Sequence, residues 1–149
     1  GFGSRTVDRT YDVCHLSYLW GRRKETVDAL VDRGLRIAPE AWGRAQQDVT
    51  VARSHLMINM HQYENMNVVA PLRFAAAASY AIPIVSEHFG DVESHHLCAA
   101  RGERWQLPQM IVEQLKDTAR LRYYGHHLYE ALCVTTNFGW EVLDAATRI

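Results

Sequence analysis

The sequence has no apolar run long enough to cross a membrane and no strong excess of either charge. A transmembrane helix needs about 20 predominantly apolar residues, and the longest apolar runs here are much shorter. Sixteen basic and seventeen acidic residues leave a formal net charge of −1, so no overall field favours nucleic acid or an anionic membrane. The start of the chain lacks the apolar segment of a secretory signal. We therefore predict a soluble protein with no nucleic-acid partner and no membrane span.

Cysteine is scarce, and the common metal and nucleotide motifs are missing. The three cysteines, Cys14, Cys98 and Cys133, form no CxxC pair, which argues against a disulfide framework or a zinc site. The histidine pairs at 95–96 and 126–127 lack the i, i+4 spacing of a helical metal site. No GxGxxG, GxxxxGK[ST] or GxSxG motif occurs. We therefore expect no metal, no resident cofactor and a reducing, cytoplasmic location.

What the sequence does contain is a strand, helix and strand pattern between residues 55 and 87. Residues 56–60 and 82–85 are short apolar runs, typical of strands that are covered on both faces of a parallel sheet. Between them, Pro71 suits the first turn of a helix, where its missing N–H costs nothing, and the alanines at 75–78 have high helix propensity. This unit predicts a right-handed βαβ crossover.

The rest of the chain continues the alternation of strands and helices. The pattern predicts strands at 11–19 and 35–38, helices at 25–33 and 45–53, and helical structure from residue 107 onward. Gly34 suits the end of the first helix, whereas Gly125 and Gly139 are expected to weaken or break the last helices. Residues 89–102 show no clear pattern. We predict an α/β fold, with a Rossmann-like parallel sheet, flanking helices and a C-terminal helical segment. It forms one domain at 11–149, after a tag or disordered lead-in at 1–10.

Polar side chains cluster at the ends of the two central predicted strands. Open α/β sheets bind ligands beyond the carboxyl ends of their strands. The residues predicted to lie at this edge are Asn59, His61, Tyr63, Ser86 and Glu87. His61 is the candidate catalytic residue, as a general base or a phosphate donor, with a structural histidine as the alternative. Glu87 either accepts a sugar hydroxyl or forms an ion pair, and Trp42 either packs in the core or faces a base or a partner.

Arginines are predicted at the same edge. Arg22 and Arg23 follow the first strand in a predicted loop, and a guanidinium group can hold phosphate through two hydrogen bonds. A solvated charge cluster is the alternative. Arg73 lies one turn into the alanine-rich helix, where it can reach a phosphate or pair with Glu64 or Glu87. Together with the N–H groups of that helix, these arginines predict a phosphate-binding site.

Several of these positions match a known pattern, lNiH…RxFEalAxGxPvVsE. The matching residues are Asn59, His61, Arg73, Phe74, Ala78, Pro83, Val85, Ser86 and Glu87. The pattern belongs to the CgeB-like branch of group 1 glycosyltransferases, and residues 55–87 resemble the carboxy-terminal, donor-binding half of that GT-B fold. Residues 11–37 resemble the family's opening strand, its glycine and arginine loop, and the following helix and strand. Residues 107–143 resemble its closing helices.

The resemblance implies half of a GT-B glycosyltransferase that binds a nucleotide-diphosphate sugar and acts in hexosyl transfer without a metal. An acceptor domain on a partner chain, or a homodimer, would complete it. Ala76 stands where the family has a glutamate that holds the ribose, and a methyl group cannot accept hydroxyl hydrogen bonds. Ala81 stands where the family has glycine, and alanine resists the positive φ that glycine allows.

A second hypothesis is a non-catalytic, degenerate module that keeps this fold for protein association or small-ligand binding. Ala76 and Ala81 favour it, because an active enzyme is expected to keep the residues that hold its donor. Affinity for a nucleotide diphosphate that falls when Arg73 is removed would distinguish the enzyme from this module.

Overall fold

A parallel β-sheet forms the centre of the computed structural model, which describes residues 9–63 and 70–134. Within these ranges the sheet has four strands in the order β1-β2-β3-β4: β1 (Tyr11–Cys14), β2 (Ser54–Asn59), β3 (Ile84–Glu87) and β4 (Ala100–Gly102). The α-helices are α1 (Arg22–Asp32), α2 (Arg44–Ala52), α3 (Pro71–Ser79), α4 (Leu107–Leu115) and α5 (Thr118–Tyr129). Shorter helical turns are Val92–Leu97, Arg104–Gln106 and Glu130–Val134.

Helices cover both faces of the sheet. On one face, α1 and α4 bury Leu30 and Ile111 against Leu56 of β2. On the other face, α3 and α5 bury Phe74 and Leu128 against neighbouring positions of the same strands. Both faces of the central strands are therefore apolar, as their continuous hydrophobic sequence requires. The predicted α/β fold with a Rossmann-like parallel sheet is confirmed.

The direction in which the sheet grows changes between β1 and β2. After β1 and α1, Ile37 forms a single parallel bridge to Val13, on the edge of β1 away from β2. The chain then returns through α2 to β2, and β3 and β4 follow on that side. This reversal is the topological switch point at which open α/β sheets form their ligand crevice.

The strands differ from the sequence prediction in length and number. β1 ends at Cys14 instead of residue 19, because Leu16 has a left-handed backbone with a φ of 50°. The strand predicted at 35–38 is wrong, since the described structure has only the bridge at Ile37. β3 begins at Ile84 instead of residue 82 and ends at Glu87 instead of residue 85, so Ser86 and Glu87 belong to the strand and do not follow it.

The helices confirm most of the pattern and correct two expectations. α2 and α3 begin within a residue of their predicted starts, and Pro71 is in the first turn of α3. α1 begins at Arg22, so the arginines predicted to be in a loop belong to its first turn. The helical region after residue 107 divides at Asp117, whose side chain caps α5 by accepting the Arg120 backbone N–H at 3.1 Å. No helix within 9–63 or 70–134 has the length and apolar character that a membrane crossing demands.

Gly125 lies inside α5, which corrects the expectation that it would break the helix. A Cβ atom at this position would lie 2.0 Å from the carbonyl oxygen of Ala81. The glycine thus allows α5 to approach the backbone that leads from α3 to β3, and the contact explains why a residue of poor helix propensity is found here. Gly139 lies outside the described residues.

Replacing Ala81 by glycine is expected to stabilise the protein. Ala81 has a φ of 52°, a left-handed conformation that costs a residue with a Cβ about 1–2 kcal/mol. Glycine is also more flexible in the unfolded chain, which offsets part of the gain. We expect Ala81→Gly to raise the free energy of unfolding by about 0.5–1 kcal/mol in urea denaturation. Ala77→Gly, in the regular helical backbone of α3, is the matched control and should lower it. Equal losses for both variants would contradict this interpretation.

Candidate functional site

A cleft of about 400 Å³ opens at the carboxyl edge of the sheet, at the switch point between β1 and β2. Its walls come from the loops after β1, Ile37 and β2, together with parts of α1, α2 and α3. The lining residues are Leu16, Ser17, Tyr18, Arg23, Glu40, Ala41, Trp42, Gly43, Gln47, Gln62 and Arg73. The switch point is thus a concave surface with both charged and aromatic walls.

Two arginines of the cleft donate hydrogen bonds to one carbonyl group. Arg73 in α3 donates to the Met60 carbonyl oxygen at 3.0 Å and to the Asn59 side-chain oxygen at 2.9 Å. Arg23 in α1 donates to the same Met60 carbonyl at 3.2 Å. Arg23 is only 6% exposed, and its buried Nε has no hydrogen-bond partner. The two guanidinium groups therefore meet just beyond the end of β2.

The electrostatic environment of these arginines is unfavourable to their charge. Burial, and secondly the charge of Arg23, lower the pKa of Arg73 to about 10. Burial is also the main cause that lowers the pKa of Arg23, followed by the charge of Arg22, while the Glu87 carboxylate partly opposes this shift. Among the described residues, no carboxylate forms a salt bridge with Arg23 or Arg73. Two neighbouring guanidinium groups, one buried and one partly buried, that form no salt bridge with a described carboxylate are suited to an anion.

Arg22 differs from its neighbour because its charge is neutralised inside the protein. Both of its terminal nitrogens donate to the Glu87 carboxylate at 2.7 Å, and one also donates to the His61 carbonyl at 2.9 Å. The same carboxylate accepts the His61 backbone N–H at 2.9 Å. Glu87 is thus the ion-paired carboxylate that the sequence left as one of two alternatives. The pair links α1 to the end of β3.

The other predicted polar residues extend this network. Asn59 and Ser86 are fully buried, and the Asn59 amide donates to the Ser86 hydroxyl at 2.9 Å. They position Arg73, whose guanidinium group donates to the Asn59 side chain. The His61 Nε2 lies 2.7 Å from the His88 carbonyl oxygen, so Nε2 carries the proton and donates it. Tyr63 is half exposed and its hydroxyl accepts a hydrogen bond from Gln62. Glu64, the alternative partner of Arg73, lies outside the described residues.

One wall of the cleft is aromatic and carries a carboxylate. The rings of Tyr18 and Trp42 are 4.7 Å apart between centroids, and each is more than half exposed. Next to them, the Glu40 carboxylate accepts the Leu19 backbone N–H at 2.5 Å. Sequence reasoning missed Tyr18 and Glu40. Their position could have indicated them, because Tyr18 follows β1 and Glu40 follows Ile37, which pairs in parallel with β1. Both residues therefore lie beyond the carboxyl edge of the sheet.

His15 holds the two loops of this wall together. It is buried, and its ring nitrogens lie 3.1 Å from the Ala38 carbonyl oxygen and 3.3 Å from the Ser17 backbone nitrogen. Nε2 therefore donates to Ala38, and Nδ1 accepts from Ser17, which requires a neutral ring. Burial lowers the pKa of His15, consistent with that state. The left-handed Leu16 lies between these two contacts and turns the chain into the cleft.

Comparison with known proteins finds distant relatives. No family model matches the chain, and no solved structure matches it. Uncharacterized protein L140 of Acanthamoeba polyphaga mimivirus is 30% identical over 84 residues, which are 54% of this chain and 27% of that protein. Uncharacterized protein L137 of the same virus is 29% identical over 120 residues, 75% of this chain and 16% of that protein. The chain thus spans about a quarter or less of the length of these relatives.

Proposed function

We propose that this domain binds the diphosphate of a nucleotide sugar, as the donor-binding half of a glycosyltransferase that transfers a hexosyl group. The acceptor site would come from a further domain, a partner chain or a second copy. The resemblance to the GT-B family motivates the reaction class, and the cleft at the switch point supports the ligand class. The proposal assigns the phosphate-binding role to Arg23 and Arg73.

One observation carries this proposal: the buried Arg23 and the partly buried Arg73 share a carbonyl acceptor, and neither forms a salt bridge with a carboxylate of a described residue. A buried charge without an ion-pair partner is unfavourable by several kcal/mol, so contact with an anion would stabilise these groups. A diphosphate would neutralise both groups and could accept the unpaired N–H of Arg23 Nε. An anion of this size and charge is therefore the ligand that best satisfies the site.

The same groups suit the chemistry of sugar transfer. When the bond between the sugar and the diphosphate breaks, negative charge develops on the departing phosphate oxygen. Fixed cations stabilise that charge without reorganisation, because Arg73 is already oriented by Asn59 and the Met60 carbonyl. Arg22 contributes indirectly, because its pair with Glu87 fixes the start of α1 beside the cleft. No metal is required for this role, since side-chain cations supply the positive charge.

Nucleotide binding tests the proposal directly. Titration calorimetry with UDP, GDP and their common sugar conjugates is expected to show micromolar affinity for at least one of them. Arg73→Gln and Arg23→Gln should each weaken that affinity about ten- to a hundredfold, because each removes charge-assisted hydrogen bonds to phosphate. Inorganic pyrophosphate should bind more weakly and show the same dependence on both arginines.

The matched control is Arg33→Gln, which removes one positive charge at the end of α1, away from the cleft. It should leave nucleotide affinity within twofold, because exposed charges at that distance are screened by salt. Equal effects of the three substitutions would attribute binding to net charge alone. A complete lack of nucleotide and pyrophosphate binding at millimolar concentration would contradict the proposal.

The alternative, a non-catalytic module for protein association or small-ligand binding, is favoured by Ala76. This residue packs, partly buried, against the core between α3 and the sheet, and it does not line the cleft. The family's ribose-binding carboxylate thus has no replacement at its own position. A module of this kind would bind a partner protein with no dependence on Arg23 or Arg73, and it would not hydrolyse or transfer a nucleotide sugar.

A further inference from the structure

Glu40 is a carboxylate in a cleft with two arginines, yet it pairs with neither of them in the described structure. One oxygen, Oε1, accepts the Leu19 backbone N–H at 2.5 Å, and this bond holds the side chain against the loop after β1. The other oxygen, Oε2, has no hydrogen bond to a described residue. Glu40 lines the cleft and is partly buried, and a carboxylate oxygen without a hydrogen bond is a strong acceptor for a donor that enters the cleft.

A ligand made of phosphate alone does not suit this arrangement. Its negative charge would be attracted by the arginines and repelled by Glu40 in the same cleft. A ligand that also carries hydroxyl groups resolves the conflict, because hydroxyls donate to the carboxylate while the phosphate groups accept from the arginines. Two adjacent hydroxyls of a sugar ring match the acceptor capacity of a carboxylate.

The position of Glu40 indicates which sugar of the ligand it meets. The hydrogen bond from Leu19 to Glu40 lies close to the ring contact of Tyr18 with Trp42, because Tyr18 is one residue from Leu19 and Trp42 is two residues from Glu40. Exposed aromatic rings can stack on a nucleobase, and each such contact contributes about 1–3 kcal/mol. In a nucleotide the ribose is joined directly to the base, so a carboxylate beside the aromatic pair would meet ribose hydroxyls.

We propose that Glu40 accepts hydrogen bonds from the 2′- and 3′-hydroxyls of the ligand's ribose and makes the cleft selective for ribonucleoside diphosphates. The inference rests on the proposed function, since it takes the phosphate to be held by Arg23 and Arg73. The ribose contact would then come from the loop after Ile37, because α3 has Ala76, whose methyl group cannot accept a hydrogen bond. Glu40 is a specificity-determining residue in this arrangement and takes no part in bond breaking.

The test compares ribose with dideoxyribose ligands by calorimetry. UDP and GDP, and their 2′,3′-dideoxy analogues, are titrated into the unaltered protein and into Glu40→Gln. Glutamine keeps an oxygen for the Leu19 N–H but has no charged acceptor left for the ligand. The unaltered protein should bind the better ribonucleotide about ten- to a hundredfold more tightly than its dideoxy analogue. Glu40→Gln should lose that preference while its affinity for the dideoxy ligand stays the same or rises.

Control ligands and variants separate the possible failures. Glu113→Gln, an exposed substitution on α4, should leave the ribose preference intact. Equal affinity of the unaltered protein for both ligands, with both still weakened by Arg73→Gln, would overturn the Glu40 assignment and leave the proposed function in place. UDP-glucose is titrated as well. If Glu40→Gln weakened the binding of UDP-glucose but not that of UDP, Glu40 would contact the hexose, and the ribose contact would be overturned. Absence of any binding would overturn both proposals.

Discussion

Gly125→Ala is expected to destabilise the protein by about 3 kcal/mol or more. The added Cβ would lie 2.0 Å from the Ala81 carbonyl oxygen and 2.8 Å from its carbonyl carbon. These atoms belong to the backbone between α3 and β3, so neither side can move away without displacing a helix. Alanine favours a helix over glycine by only about 1 kcal/mol, so the clash decides the sign. Urea denaturation followed by circular dichroism measures the effect.

Gly102→Ala provides the matched control for this prediction. A Cβ there would lie 2.8 Å from the Met110 sulfur and 2.9 Å from the Gln106 side-chain oxygen, which are the far ends of flexible side chains. The Met110 side chain can rotate away, and moving Gln106 costs its exposed hydrogen bond from the Glu103 N–H, so the loss of stability should be clearly smaller than at Gly125. A Gly125 variant as stable as the Gly102 variant would mean that α5 does not pack against Ala81 as described.

Arg22→Met is expected to cost about 3–5 kcal/mol of stability. It removes both hydrogen bonds from the guanidinium group to Glu87 and leaves a carboxylate that is 5% exposed with only the His61 N–H as a described partner. An unpaired buried charge is the main cost. The double variant with Glu87→Gln removes that charge and keeps an acceptor for His61, so it should recover part of the lost stability.

An exposed ion pair with a similar separation provides the control for Arg22→Met. Lys24 and Asp28 form one on the surface of α1 at 2.8 Å, and both side chains are more than half exposed. Lys24→Met should have a much smaller effect, because solvent screens that pair. If Arg22→Met were equally mild, the Arg22–Glu87 pair would not determine how α1 docks on the sheet. The change in the free energy of unfolding of the double variant would then equal the sum of the changes in the two single variants.

The central βαβ unit was predictable from the sequence because local and tertiary preferences agree there. Residues 56–58 and 84–85 are continuously apolar, as strands covered on both faces require, and Pro71 and the alanines after it favour a helix. β4 was not predicted, since Ala100–Gly102 has no β-branched residue. It pairs only because β3 offers an open edge, which is a property of the folded sheet.

The sequence predicted where the candidate site lies, but only some of the roles of its residues. Arg22 and Arg23 are adjacent in the chain, so no sequence pattern could tell which one meets Glu87 and which one faces the cleft. The same holds for Gly125, because its use is a contact with a backbone more than 40 residues away. The positions of helices and strands along the chain follow from the sequence pattern, whereas the contact partners of single side chains depend on how the helices pack on the sheet.

The carbonyl group of Met60 also joins the two layers of helices mechanically. It accepts from α1 on one face of the sheet and from α3 on the other, so a single oxygen is the meeting point of both layers. An anion bound by the same two arginines would connect α1 with α3 and oppose their separation. Binding would therefore stabilise the packing of both helix layers on the sheet, and the domain without the anion would be the less stable form.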